Sequence, residues 1–276
     1  MNRQHILAQI LLRSWPFPRG TGRIIDHYFS RLAFDDEIAS VLTTDGFTIN
    51  VIPNDLIGRH IYLTGEFDRS TVEVLLKFSN PEDVLLDIGA NIGYVSACFL
   101  QNVPRSKVIA VEPQPQIVDL LQLNLAPFGN GRYKVFPVGI SNIDSSGWLE
   151  INALNRGASK VVDMRNSQTV EIQLWSAKRL FASLQGEKID LVKIDVEGHE
   201  ATVLTACQAD LGRLRPRAIL FEDHAQSAAP EGSIGHIFRS IGFRVFGVKK
   251  RLTRLEFVSI STASDCVYND YLAVPA

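Results

Sequence analysis

Cysteine is scarce in this chain. There are three, Cys98, Cys207 and Cys266, far apart, and no C-x-x-C occurs. An odd, scattered set excludes a disulfide framework and a cysteine-based zinc site of the usual spacing. It places the chain in a reducing, cytoplasmic setting. Cys98 and Cys207 lie in apolar periodic segments and read as core residues. A basic excess is also missing, with 28 Lys+Arg against 30 Asp+Glu and a formal net charge of -2. No nucleic-acid partner is expected, although a local basic patch stays compatible with that balance.

No long hydrophobic run exists either. The apolar stretch at residues 6–12 is broken by Gln9 and closed by Arg13. It is too short to span a bilayer, so stable membrane insertion is not expected. No small-residue cleavage site follows it, so it does not read as a signal peptide. A short amphipathic helix packed on the domain is the simpler reading, and a membrane-peripheral contact is the less favoured alternative. Repeats, low-complexity tracts and long linkers are absent too. What remains is ordinary for a globular protein: 276 residues, 46% hydrophobic and 21% charged. A chain of that length buries a core without disulfides or structural metal.

Residues 1–80 read as a helical and hairpin extension packed on the core. The hairpin is expected from the runs FTINVI and RHIYLT around the turn Pro53-Asn54-Asp55, followed by a helix from about Arg69 to Phe78. Residues 81–276 read as the main domain. Apolar runs DVLLDIG, KVIAVEP, YKVFPVGI, IDLVKID and RAILFED alternate with helical stretches, which means a parallel sheet of βαβ units. WLEIN and TVEIQLW interrupt that alternation as strands. FRVFGVKKRLTRLEFVSI and VYNDYLAV close it without a helix between them. About seven strands are expected from Val84 onward.

The first strand–helix junction reads Asp87-Ile88-Gly89-Ala90-Asn91-Ile92-Gly93. Ligands of open α/β sheets bind beside this turn, and glycine lets backbone approach closely. The G-x-G-x-x-G spelling of nicotinamide proteins is missing. Asp87 would repel a diphosphate but suits a ligand with an ammonium group and no phosphate, such as S-adenosylmethionine. Glu112 ends the next strand, where a carboxylate accepts from both ribose hydroxyls. Pro113 is placed to start the following helix. Val138, ending the third strand, offers an apolar contact to adenine.

Acidic residues crowd the ends of two later strands: Asp195, Glu197 and Glu200, then Glu222 and Asp223. Asp195 and Glu197, two apart, share one side if the strand continues, and Lys193 has the same parity. Methyl transfer to a hydroxyl needs alignment and a base. Asp195, Glu197, Glu222 and His199 are the candidate catalytic residues. Asp195 is equally a candidate for the methionine part of the cofactor. A hard-metal site for Mg²⁺ would use Asp195, Glu222 and Asp223, and ranks below both readings.

These residues resemble the FkbM family of S-adenosylmethionine-dependent methyltransferases. The landmarks are VLLDIGANIGYVS, VIAVEPQP, NRGASKVV, DLVKIDVEGHEATVL and ILFEDH. The resemblance covers roughly residues 83–223. It implies a seven-stranded Rossmann-like sheet, mostly parallel, with an antiparallel last strand. It implies O-methylation of a hydroxyl on a glycan or small natural product. Asp87, Gly89, Asn91, Gly93 and Glu112 fall on its cofactor motif, and Asp195, Glu197 and Gly198 on its acidic motif. It places Ser159 at the substrate mouth. QLWSAKRL departs from the threonine-leucine-aspartate turn of many relatives, at Trp175 and Ser176. The alternatives are N- or C-methylation, a nicotinamide oxidoreductase, and a non-catalytic module of the same fold. A homodimer is left open.

Overall fold

The computed structural model describes residues 3–17, 19–29, 32–152, 155, 157, 159–162, 164–184 and 186–276. The chain opens with α1 (Arg3–Arg13) and a single turn, α2 (Thr21–Ile24). An antiparallel hairpin follows, β1 (Ala39–Leu42) and β2 (Thr48–Val51), then α3 (Leu56–Thr64) and α4 (Arg69–Phe78).

RHIYLT, expected as a strand, is therefore helical. The Asp55 carboxylate caps α3 by accepting from the backbone N–H groups of Ile57 and Gly58, at 3.1 and 3.3 Å. Ile57, Ile61 and Thr64 then bury one helical stripe. Capping and tertiary burial outweigh the weak strand preference of the β-branched and aromatic residues.

The main body follows as β3 (Val84–Ile88), α5 (Tyr94–Asn102), β4 (Lys107–Val111), α6 (Pro115–Leu125) and β5 (Tyr133–Phe136). An inserted sheet contributes β6 (Gly139–Ser141), β7 (Ser145–Glu150), β8 (Lys160–Val162) and β9 (Thr169–Ser176). Then come α7 (Ala177–Ser183), β10 (Leu191–Ile194), α8 (Glu200–Leu214), β11 (Ala218–Glu222) and α9 (Ser233–Ser240). The chain closes with β12 (Phe243–Lys250), β13 (Leu255–Ser259) and β14 (Asp270–Pro275).

The main sheet has eight strands in the order β13-β12-β14-β11-β10-β3-β4-β5. The five from β11 to β5 are parallel, and β14 runs antiparallel to β11 as expected. That is one strand, β13, more than the seven-stranded sheet the resemblance implies. Among the described residues twelve strands, rather than about seven, form from Val84 onward, because a four-stranded sheet is inserted. FRVFGVKKRLTRLEFVSI folds back on itself, so β13 pairs antiparallel with β12. Arg251 N–H donating to the Arg254 carbonyl at 2.9 Å closes that turn.

Strand alternation divides the core into two layers. Leu85, Val108, Ala110, Leu191 and Leu220 face α4, α5 and α6. Val84, Leu86, Ile88, Ile109, Val192 and Ile194 face α7, α8 and α9. The first layer also takes in Val41, Ile49, Val51, Ile57 and Ile61, so packing runs unbroken from the hairpin and α3 into the sheet.

YKVFPVGI is two strands in two sheets. β5 edges the main sheet, while β6 pairs parallel with β9 in the four-stranded sheet β6-β9-β7-β8. Pro137 supplies no donor, so the run breaks there. Leu149, Ile172 and Leu174 form a separate small core in that sheet.

Candidate functional site

Sheet order reverses between β3 and β10, which is where a ligand crevice is expected in such a sheet. A cavity of about 460 Å³ lies there. The carboxyl ends of β3, β4, β10 and β11 supply Gly89, Glu112, Asp195 and Glu222 to its wall. Of the residues singled out in the sequence, Ala90, Asn91, Pro113, Val138, Ser159, Glu197 and His199 also line it. Asp87, Gly93 and Asp223 do not.

Asp87 is fully buried beneath the loop. Its Oδ2 accepts from Ser96 Oγ at 2.6 Å, and its Oδ1 lies 3.3 Å from Lys193 Nζ. It acts through Lys193 rather than facing a ligand directly. Lys193 itself was noted only for its parity. It donates to the Gly89 carbonyl at 2.7 Å and lies 3.4 Å from Asp195 Oδ2. One ammonium thus ties together the loop after β3, the carboxyl end of β3 and the acidic loop after β10. Burial lowers its affinity for a proton, but Asp87 and Asp195 outweigh that and raise it. A lone lysine inside the apolar run LVKI was the available signal.

The loop glycines serve the fold. Gly89 has φ +80°, and a Cβ there would stand 1.7 Å from the Asp195 carbonyl oxygen. Its missing side chain makes room for the neighbouring loop, where the sequence suggested room for a ligand. Gly93, at φ +84°, turns the chain into α5, and a Cβ would meet Leu121 at 2.6 Å.

Glu112 is held by the loop it faces. Its carboxylate accepts from Asn91 N–H at 3.0 Å and Gln114 N–H at 2.9 Å. Burial pushes its carboxyl up to about 7, against those two bonds. Pro113 lies on the cavity wall and does not start the helix; Gln114 is the cap of α6 and Pro115 its first residue. Gln114 was missed from the sequence. It is 2% exposed, it lines the cavity, and its Nε2 has no hydrogen-bond partner.

β10 ends at Ile194, so strand parity does not place Glu197. A turn does, with Glu197 at φ +52° and Gly198 at φ +91°. Glu200 holds that turn, accepting from Val196 and Gly198 N–H at 3.1 Å each. Burial, with Asp195 and Glu200, raises the Glu197 carboxyl. His199 is shifted down by burial, and its Nε2 is buried without a partner. It is therefore a neutral imidazole at the wall at neutral pH.

Burial pushes Glu222 up to about 9, with Asp195, Asp270, Asp68 and Glu197 adding to the shift. Its folded value lies above its unfolded one, so its contribution to stability is full below about pH 4.5 and lost as pH climbs towards 9. Glu222→Gln keeps the neutral form permanently. Urea unfolding should find the variant equal to the native chain near pH 4. At pH 8 it should be more stable by on the order of 1 kcal/mol. A variant less stable at pH 8 would refute the assignment.

The three-carboxylate metal set is not assembled. Asp223 turns inward and accepts from Ala225 N–H, Ser227 Oγ and Ala228 N–H at 3.0, 3.1 and 2.7 Å. Those bonds order the loop after β11. Among the described residues no group of three metal-binding side chains is present.

The far wall comes from parts the sequence did not assign. Arg19, Gly20, Thr21, Gly22, His60 and the segment 66–70 close it. The inserted sheet adds Ile140, Leu149, Val161 and Leu174. In the NRGASKVV loop, Asn155, Gly157 and Ser159 line the cavity, while Arg156 and Ala158 lie outside the described residues. At the departure QLWSAKRL, Ser176 caps α7 by accepting from Arg179 N–H.

Residues 87–246 match the Methyltransferase FkbM domain, so the chain belongs to that family. It is 32% identical over 142 residues to the hexuronic acid methyltransferase AglP of Haloferax volcanii, covering 51% of this chain and 56% of AglP. It is 25% identical over 185 residues to the 2-O-methyltransferase NoeI of Sinorhizobium fredii, covering 59% and 71%. The chain thus spans little more than half of AglP. Magnesium protoporphyrin IX methyltransferase (ChlM) from Synechocystis PCC 6803, solved with bound SAM, has 14% identity and a TM-score of 0.42, over 79% of this chain and 89% of that one.

Proposed function

We propose that the chain is an S-adenosylmethionine-dependent O-methyltransferase acting on a hydroxyl of a glycan or small natural product. The observation that carries this reading is one cavity joining the loop at Gly89, Glu112 and the acidic ends of β10 and β11, in a chain of the FkbM methyltransferase family. The name of AglP, a hexuronic acid methyltransferase, agrees with a sugar acceptor, and that of NoeI, a 2-O-methyltransferase, with transfer to oxygen.

The wall fits such a cofactor. Its volume lies within the range for small-molecule sites. Gln114 Nε2 is a buried donor in need of an acceptor. Glu112 keeps lone pairs for two ribose hydroxyls, and Val138 offers an apolar face to adenine. Asp195, fixed by Lys193, takes the amino-acid end. S-adenosylmethionine supplies an electrophilic methyl on a sulfonium. The protein's part is to align the acceptor hydroxyl and remove its proton. We assign the base to His199, which lines the cavity and whose ring burial keeps neutral. Glu197 and Glu222 lie on the same wall and orient the acceptor.

We also propose a division near residue 80, with the 1–80 extension shaping acceptor choice. The match to the family model, which starts at residue 87, supports it. A cytoplasmic setting accords with three free, buried cysteines.

Calorimetric titration tests the cofactor. S-adenosylmethionine and S-adenosylhomocysteine should bind saturably and NAD should not. Affinity should rise from pH 6 to pH 8, because Glu112 gives up its proton near 7 and becomes the better acceptor. Glu112→Gln should weaken binding about tenfold or more and flatten that pH dependence. Binding of NAD alone would overturn the reading.

A further inference from the structure

The outward face of α1 is apolar where a surface helix is normally polar. Leu7, Ile10 and Leu11 are 67%, 60% and 59% exposed. They share one side of the helix with Arg3 at the spacing of successive turns. The inward side holds two polar side chains as well as apolar ones. Gln9 Nε2 donates to the Tyr62 carbonyl at 2.9 Å, and a His5 ring nitrogen lies 3.1 Å from the Ala33 carbonyl oxygen. Ala8 and Leu12 are buried beside them. The helix is thus anchored by His5, Ala8, Gln9 and Leu12 and still presents Leu7, Ile10 and Leu11 outward. Phe17 and Tyr28, further along the same segment, are also exposed.

Charge says what covers this face. Residues 1–34 contain five arginines and a single acidic residue, Asp26, in a chain whose net charge is -2. Arg3, Arg13 and Arg23 are exposed. Arg19 is not among the surface cations, because Glu73, Ser70 and the Arg251 carbonyl hold it at the cavity. Exposed leucine and isoleucine, with exposed aromatics and arginines in the same N-terminal segment, match an interfacial helix that lies on anionic lipid. Among the described residues no helix is long and apolar enough to cross a membrane.

We propose that this face docks the protein on an anionic lipid surface. The segment that follows α1 continues into the cavity wall through Arg19, Gly20, Thr21 and Gly22. Docking therefore brings the cavity's N-terminal wall close to that surface. The inference holds whichever reaction the cavity carries.

The test is co-sedimentation of the full chain with phosphatidylcholine vesicles, with and without roughly one-third phosphatidylglycerol. Binding should appear with the anionic vesicles, weaken with salt, and be about tenfold lower on the neutral ones. Leu7→Asp with Leu11→Asp should reduce binding about tenfold or more, with the melting temperature retained because both side chains are exposed. Arg3→Glu with Arg23→Glu should reduce it as well, without touching the apolar face. Absence of binding to anionic vesicles would overturn the proposal, as would native binding by both variants. So would a dimer in sedimentation velocity that Leu7→Asp with Leu11→Asp converts to monomer without any vesicle binding, since a second copy would then cover the face.

Discussion

Lys193→Met is expected to cost about 3–5 kcal/mol of unfolding free energy, because it strands a buried carboxylate. The lysine side chain is 7% exposed and that of Asp87 is 0% exposed. Removing the ammonium leaves Asp87 with Ser96 alone, and releases Asp195 and the Gly89 carbonyl. Cofactor binding should fall with stability, since the loop and the acidic turn lose their common anchor. Urea unfolding measures the first effect and calorimetry the second. Adding Asp87→Asn should recover part of the stability, because the second change removes the stranded charge. A loss below about 1 kcal/mol in the single variant would mean that Asp87 is not held by Lys193.

Gly89→Ala should be nearly as damaging, by a different route. The left-handed backbone alone costs an alanine about 1–2 kcal/mol. The new Cβ would also stand 1.7 Å from the Asp195 carbonyl oxygen, which is backbone and cannot rotate aside. The first loop and the loop after β10 must therefore separate, for a total of roughly 3 kcal/mol or more. Gly198→Ala is the control. Its φ is +91°, but a Cβ there meets nothing within 4 Å. It should lose only the conformational part. If both variants melt together, the close approach of the two loops carries no weight.

Much of the site was legible because its chemistry rides on strand ends. An apolar run closed by an acid or glycine marks both a parallel strand and its functional tip, as at Ile88-Gly89, Val111-Glu112 and Ile194-Asp195. The helix Arg69–Phe78 was also readable to its ends, from one apolar stripe stopped at Asn80-Pro81.

Other parts were hidden for identifiable reasons. RHIYLT has strand-forming residues, and only the Asp55 cap and the burial of Ile57 and Ile61 make it helical. β13 looked like a continuation of β12, because a turn built on arginines lacks the usual glycine or proline signal. In the sequence Asp87 reads as a cofactor contact, and Lys193 carries no signal beyond its parity. Their pairing joins β3 to β10, strands more than 100 residues apart in sequence.

The amino-acid order alone determined the strand–helix alternation, the glycine loop after β3 and the family resemblance, because periodicity and local motifs act over a few residues. Only the tertiary structure decided which acids line the cavity and which are spent on the fold. It turned Asp223 into its loop, paired Asp87 with Lys193, and brought Glu197, Glu222 and His199 to one cavity. The wall supplied by residues 19–22 and 66–70 was decided there too. Whether a carboxylate faces a ligand or a lysine depends on contacts between distant segments, and local pattern carries no record of those.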